Sequence, residues 1–82
     1  MNNVTKDDVM KLIVKCAENK PGIDKSTDYI KDGYFDSMSM MNLVSEIEDY
    51  FGIELEIEDI EPENFVSLDS IFEMINKKVG QN

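Results

Sequence analysis

The strongest constraint on the fold is a helical hydrophobic pattern in the middle of the chain. Its apolar residues recur with the spacing of a single helix face. They are Met40, Leu43, Val44, Ile47 and Phe51. Asp36 is a typical N-cap residue before this pattern, and Gly52 is a typical left-handed residue after it. The pattern predicts a helix from about Ser37 to Phe51 with one apolar face to bury.

Two further patterns of the same period predict a helix on either side. The first helix has Thr5 as its N-cap and is ended by Lys20-Pro21-Gly22. Its apolar residues are Val9, Leu12, Ile13, Cys16 and Ala17. The last helix has Ser67 as its N-cap and ends near Val79. Its apolar residues are Leu68, Ile71, Phe72, Ile75 and Val79.

The connections between the helices differ in length and character. Residues 20–36 form a loop long enough to be functional or locally structured, with a short turn expected within 26–30. The apolar residues that can hold this loop against the core are Ile23, Tyr29, Ile30 and Phe35. Residues 53–58 alternate like a strand, but the sequence offers no partner strand, so we expect an extended connector with its apolar side on the core.

These elements together predict a small all-α fold. Pro62 favours a short helical turn over residues 62–65, because proline is preferred at the first helical position. The predicted architecture is a bundle of three main helices plus this short extra turn, with a long first loop. The length of 82 residues fits a single domain over residues 1–82.

The charge of the chain excludes several classes of partner. The sequence has 18 Asp and Glu against 8 Lys and Arg, which gives a formal net charge of −10. Residues 32–76 contain thirteen of the acidic residues and no basic one. Such a surface repels nucleic-acid phosphates and anionic membranes. It favours a basic protein partner instead.

Other features of the composition bear on location and assembly. No apolar run approaches the roughly 18 residues of a membrane span, and the N-terminus has no leader pattern. Cys16 is the sole cysteine, so the chain can form no internal disulfide. We expect a cytoplasmic protein, and a monomer.

The side chains offer little chemistry for catalysis. The chain has no histidine, and therefore lacks the commonest general base. Cys16 lies in an apolar stripe and is expected to be a small buried hydrophobe. Ser37 starts the central helix, where an anion such as a phosphate ester is stabilised, but no neighbouring residue can activate its hydroxyl. We therefore expect Ser37 to be modified by another enzyme. Ser70 repeats the Asp-Ser-apolar pattern but already lies inside the last helix.

The residues around Ser37 and in the last two helices resemble those of a known family. Gly33-Tyr34-Phe35-Asp36-Ser37-Met38 is similar to the phosphopantetheine attachment motif of acyl and peptidyl carrier proteins. Residues 43–53 resemble the second helix of these carriers, and residues 62–67 resemble the entry to their last helix. Fatty-acid carriers often have glycine where this chain has Tyr34. In this respect the chain looks more like aminoacyl carriers, including D-alanyl carriers, and free-standing carriers of specialised pathways.

The resemblance implies a function. A phosphopantetheinyl transferase would attach 4′-phosphopantetheine from coenzyme A to Ser37, with Asp36 as part of the motif. A loading enzyme, adenylating or acyltransferase, would then charge the arm with an acyl or aminoacyl thioester for downstream enzymes. The family spans fatty-acid, polyketide, nonribosomal-peptide and D-alanylation pathways. The residues that match the partner-facing side of the family's second helix are Met38, Met41, Asn42, Ser45, Glu48 and Asp49.

Functions from other classes fit the sequence less well. A calcium-binding loop starting at Asp28 would put Ile30 at the third position and Ser39 at the twelfth, where a ligating side chain and a glutamate are required. An acidic adaptor that binds a basic partner without any modification remains an alternative. A hydrolase or transferase is disfavoured because histidine is missing.

Overall fold

The computed structural model describes residues 4–18 and 20–80. Three α-helices form the body: α1 (Lys6–Cys16), α2 (Ser37–Phe51) and α3 (Leu68–Gly80). Short 3-10 turns occupy Ile23–Lys25, Ile57–Asp59 and Pro62–Asn64. The described residues contain no strand, which confirms the all-α prediction. Residues 1–3, on which part of the leader expectation rests, lie outside the described residues. In the described part of the chain, no helix is long and apolar enough to cross a membrane.

Side-chain caps define where the helices begin. Thr5 Oγ1 accepts the Asp8 N–H at 3.1 Å at the start of α1, and Ser67 Oγ accepts the Ser70 N–H at 3.1 Å at the start of α3. Both N-caps are as predicted. Helix α1 ends earlier than expected, at Cys16, several residues before the proline. The chain leaves it through Glu18, whose φ of 58° lies in the left-handed region.

The core lies where the apolar faces of the three helices meet. Its fully buried members are Val9, Ile13, Leu43, Ile47, Phe65, Ile71 and Ile75. Met74 is also buried, although the predicted stripe of α3 omitted it; it lies three residues after Ile71 and so shares its face. Met40 and Phe72 are only half-buried at the edge of the core.

The connector after α2 departs from its prediction at one residue. Ile53 is buried and Leu55 is half-buried, as expected of an extended segment packed on the core. Ile57, however, is 86 % exposed, so the expectation that this whole apolar side faces the core is wrong. The reason is the 3-10 turn Ile57–Asp59, which ends the extended backbone after Glu56 and points Ile57 outward.

This turn is tied to the end of α3. Asp59 Oδ2 accepts the Glu56 N–H at 2.9 Å and pairs with Lys78 Nζ at 2.7 Å, both side chains being mostly buried. Partial burial alone would raise the pKa of Asp59, but the bonds from Lys78 and Glu56 outweigh it and hold this pKa below its ordinary value. The Asn64 side chain donates to the Asp59 carbonyl at 2.9 Å and fixes the turn from the other side.

Two isoleucines that differ in burial, Ile47 and Ile57, allow a direct test of which residues form the core. We expect Ile47→Ala, at a fully buried position, to lower the free energy of unfolding by about 2–5 kcal/mol because it leaves a cavity. The same change at exposed Ile57 should alter it by less than about 0.5 kcal/mol. Urea denaturation followed by circular dichroism measures both. Equal losses in the two variants would contradict this assignment of the core.

Candidate functional site

The long loop between α1 and α2 is folded around Tyr29. The Tyr29 N–H donates to the Val66 carbonyl at 2.6 Å, just before α3, and the Tyr29 carbonyl accepts the Tyr34 and Phe35 N–H groups at 2.8 and 3.2 Å. The rings of Tyr29 and Phe35 are both buried and stack edge to face with centroids 5.6 Å apart. Burial raises the pKa of Tyr29 above its ordinary value, so its hydroxyl stays neutral. The loop is therefore fixed immediately before the start of α2.

A tight turn organises the middle of the loop. Asp28 Oδ1 accepts the Ile30 and Lys31 N–H groups at 3.2 and 2.9 Å, and Ser26 Oγ donates to Asp32 Oδ2 at 2.6 Å. These carboxylates thus hold the turn together. Within the described residues, no group of His, Cys, Asp or Glu side chains is arranged to hold a metal ion.

Asp36 and Ser37 stand at the exposed head of α2. Asp36 Oδ1 accepts the Ser39 N–H at 2.9 Å, as predicted for the N-cap. This bond, joined by one from the Ser39 hydroxyl, holds the pKa of Asp36 below its ordinary value. Ser37 is the first residue of the fifteen-residue helix and is exposed. A negatively charged group on its hydroxyl would lie at the positive end of the helix dipole.

The second Asp-Ser pair has a different environment. The Ser70 hydroxyl is half-buried and lies 3.0 Å from the Ser67 hydroxyl, and the Ser70 N–H donates to the same oxygen. This serine is therefore engaged in capping α3. Ser37 alone combines the motif with an exposed hydroxyl at the head of a helix, as the sequence predicts.

The outward face of α2 carries the residues predicted to meet partners. Met38 and Met41 are 75 % and 52 % exposed, as expected from their offset from the buried stripe. Asn42, Ser45 and Asp49 are exposed as well.

Glu48 is also among the residues predicted to meet partners, but it is partly buried and makes a hydrogen bond within the fold. Its Oε2 accepts the Leu55 N–H at 2.9 Å, which fixes the chain after α2 ends. Gly52 makes the necessary reversal with a φ of 65°.

Cys16 does not offer a reactive thiol. It is only partly buried, less than its place in the α1 stripe predicts. Burial nevertheless raises the pKa of its thiol, and the nearby Glu46 carboxylate adds to this effect. The thiolate that a nucleophile or a metal ligand requires is thereby disfavoured.

Tyr34 makes a contact near the site that was not predicted from the sequence. Its hydroxyl donates to the Pro21 carbonyl at 2.9 Å, across the two ends of the loop. The partners are thirteen residues apart in a segment without periodicity, so no local pattern announces the bond. The only signal in the sequence is the tyrosine itself, three residues before Ser37.

The chain matches the model of a known protein family. The model for the phosphopantetheine attachment site matches residues 8–75, more than half of the chain. The chain belongs to this family. It is thus a carrier domain, the site of covalent attachment of 4′-phosphopantetheine, and carrier domains are not themselves catalytic. No curated protein matches the sequence significantly.

The structure suits this prosthetic group. A phosphopantetheine arm needs an accessible hydroxyl to form its phosphodiester, and exposed Ser37 provides one beside the N-terminal N–H groups of α2. When attached, the arm supplies a thiol that forms thioesters. Carrier domains of this family work with phosphopantetheinyl transferases and biosynthetic enzymes.

The Asp36 cap can be tested by separating its oxygen from its charge. We expect Asp36→Ala to lower the melting temperature more than Asp36→Asn, because asparagine keeps an oxygen for the Ser39 N–H. Since folding lowers the pKa of Asp36, the stabilisation from its charge is complete above its unfolded pKa and is lost as the pH falls through the lower folded value. The difference between parent and Asp36→Asn should therefore shrink on acidification, in melting curves recorded across that range. Equal melting of the Ala and Asn variants would refute the capping role.

Proposed function

We propose that this protein is a carrier that holds an acyl or aminoacyl group as a thioester on a 4′-phosphopantetheine arm attached to Ser37. It then delivers this group to partner enzymes. The observation that carries the proposal is the exposed Ser37 hydroxyl at the head of α2, in a chain of the phosphopantetheine attachment family. The partly buried and hydrogen-bonded Ser70 lacks this accessibility.

The side chains indicate what the carrier and the transferase each contribute to the attachment. The Ser37 oxygen forms a phosphodiester with phosphopantetheine, the pyrophosphate bond of coenzyme A breaks, and the adenine nucleotide leaves. The chain has no histidine and the Asp36 carboxylate already accepts the Ser39 N–H, which supports a base supplied by the transferase. What the carrier contributes is an exposed hydroxyl and the dipole of α2, which stabilises the product's negative charge.

Intact-mass spectrometry tests the attachment directly. After incubation with coenzyme A and a broad-specificity phosphopantetheinyl transferase, we expect the mass of one phosphopantetheine to be added to the parent. Ser37→Ala should abolish the addition, and Ser70→Ala, which removes the other Asp-Ser hydroxyl, should retain it. If the parent gains no mass while a control carrier is modified, the carrier proposal is contradicted and the alternative of an unmodified acidic adaptor is favoured.

The exposed face of α2 is proposed as the docking surface for the transferase and the loading enzyme. Met38 and Met41 supply flexible apolar contacts, and Asn42 and Ser45 supply hydrogen-bonding groups. The charge is contributed by Asp49 and Glu48, in a stretch of sequence without any base. A complementary basic surface would be steered to this face before contact.

The charge of this face can be tested at Asp49. Because Glu48 also holds the Leu55 N–H, its reversal would disturb the fold, whereas Asp49 is exposed. We expect Asp49→Lys to lower kcat/KM of the transferase on the order of tenfold at low salt, with the loss shrinking at high salt. Asp24→Lys makes the same charge change on the exposed first loop and serves as the control. An equal loss in both variants, or none in Asp49→Lys, would rule out a local docking role.

The proposal extends to the setting in which the carrier works. A single cysteine and no internal disulfide fit a reducing cytoplasm, and we propose that residues 1–82 form one carrier domain that acts as a monomer. Tyr34, in place of the glycine frequent in fatty-acid carriers, favours an aminoacyl carrier such as a D-alanyl carrier. The enzyme that charges the holo form would identify the cargo.

A further inference from the structure

We infer that Tyr34 and Gly22 form a latch across the first loop and that Tyr34 is a positioning residue for the modification of Ser37. The inference rests on the proposed attachment to Ser37. It assigns to the loop a task beyond connecting α1 to α2, namely to hold the serine where the transferase can reach it.

The two residues fit each other closely. The Tyr34 hydroxyl donates to the Pro21 carbonyl at 2.9 Å, and a Cβ placed on Gly22 would lie 2.9 Å from the same hydroxyl oxygen. That distance is too short for a carbon and an oxygen that are not bonded. A side chain at position 22 would therefore force this hydroxyl, at the far end of the tyrosine side chain, to shift, and the φ of 87° at Gly22 is also one that other residues rarely adopt.

The latch joins the beginning of the loop to its end. Gly22 precedes the turn Ile23–Lys25, and Ile23 is buried in the core. Tyr34 lies three residues before Ser37, and its N–H is bonded to the Tyr29 carbonyl at 2.8 Å. The segment before the serine is thus held on its backbone by Tyr29 and on its side chain by the latch.

The effect of Tyr34 on the position of Ser37 can be separated from its effect on global stability. The Tyr34 side chain is half-exposed, and water can replace its hydroxyl at the Pro21 carbonyl, so removing the hydroxyl changes little in the core. The outward face of α2 keeps all its docking residues. What changes is how closely Ser37 is held, and displacements of the reacting atoms reduce the rate of a chemical step even when binding is unchanged.

The kinetics of the transferase separate these effects. We expect Tyr34→Phe to lower kcat for carrier modification by roughly threefold to tenfold, with KM and melting temperature close to those of the parent. Tyr50→Phe is the matched control: this exposed tyrosine lies at the far end of α2 and donates to Asp8 at 3.3 Å. Its loss should leave kcat and KM unchanged.

A double-mutant cycle tests the latch itself. Gly22→Ala should lower kcat and melting temperature in the parent, through the strained φ and the clash with the Tyr34 hydroxyl. In the Tyr34→Phe background the clash is gone while the strain remains, so the same change should cost less, and the effects should be less than additive.

The kinetic measurements and the double-mutant cycle can each overturn the inference. Unchanged kcat in Tyr34→Phe, fully additive effects in the cycle, or a fall in kcat matched by Tyr50→Phe would overturn the latch while Ser37 is still modified in the parent. Absence of phosphopantetheine on Ser37 of the parent would overturn the proposed function and, with it, the positioning role.

Discussion

The site depends first on the burial of Tyr29. Its ring packs against Phe35, its hydroxyl meets the Met10 sulfur on α1 at 3.9 Å, and its N–H bonds the Val66 carbonyl at the entry to α3. One residue of the twenty-residue connection between Cys16 and Ser37 thereby contacts α1 and the segments directly before α2 and α3. Because the ring is removed from water, the hydrophobic effect fixes a loop that has little regular structure of its own.

This anchoring explains how a small domain presents an exposed serine in a defined place. The apolar face of α2 is buried through Leu43 and Ile47, while Ser37 and Met38 at its head face solvent. The head of the helix is fixed by its Asp36 cap and by Phe35 directly before it. A fixed support under an exposed hydroxyl suits a domain that other enzymes act upon, and carrier domains are not themselves catalytic.

Some charged residues form ion pairs within the fold, whereas others remain exposed on the surface. Three lysines of the described residues form ion pairs: Lys6 with Asp69, Lys15 with Glu46 and Lys78 with Asp59. The pair at Asp59 is well shielded from water and joins the α2–α3 turn to the end of α3, whereas Lys15 and Glu46 are more exposed and contribute little stability. Asp49 and other acidic residues on the outward side keep the negative potential that a basic partner would recognise.

The sequence by itself determined the three helices and the residues that cap their starts, although α1 ends before the predicted Lys20-Pro21-Gly22. Helix α2 was predictable to the residue because Asp36, the apolar period and Gly52 act locally. Contacts between distant residues were decided only by the tertiary structure: the outward turn of Ile57, the bond from Leu55 to Glu48 and the latch between Tyr34 and Gly22. Each of them depends on where a segment without periodicity settles on the packed helices. Local propensity carries no information about that placement, because it is set by which apolar side chains the whole chain can bury together.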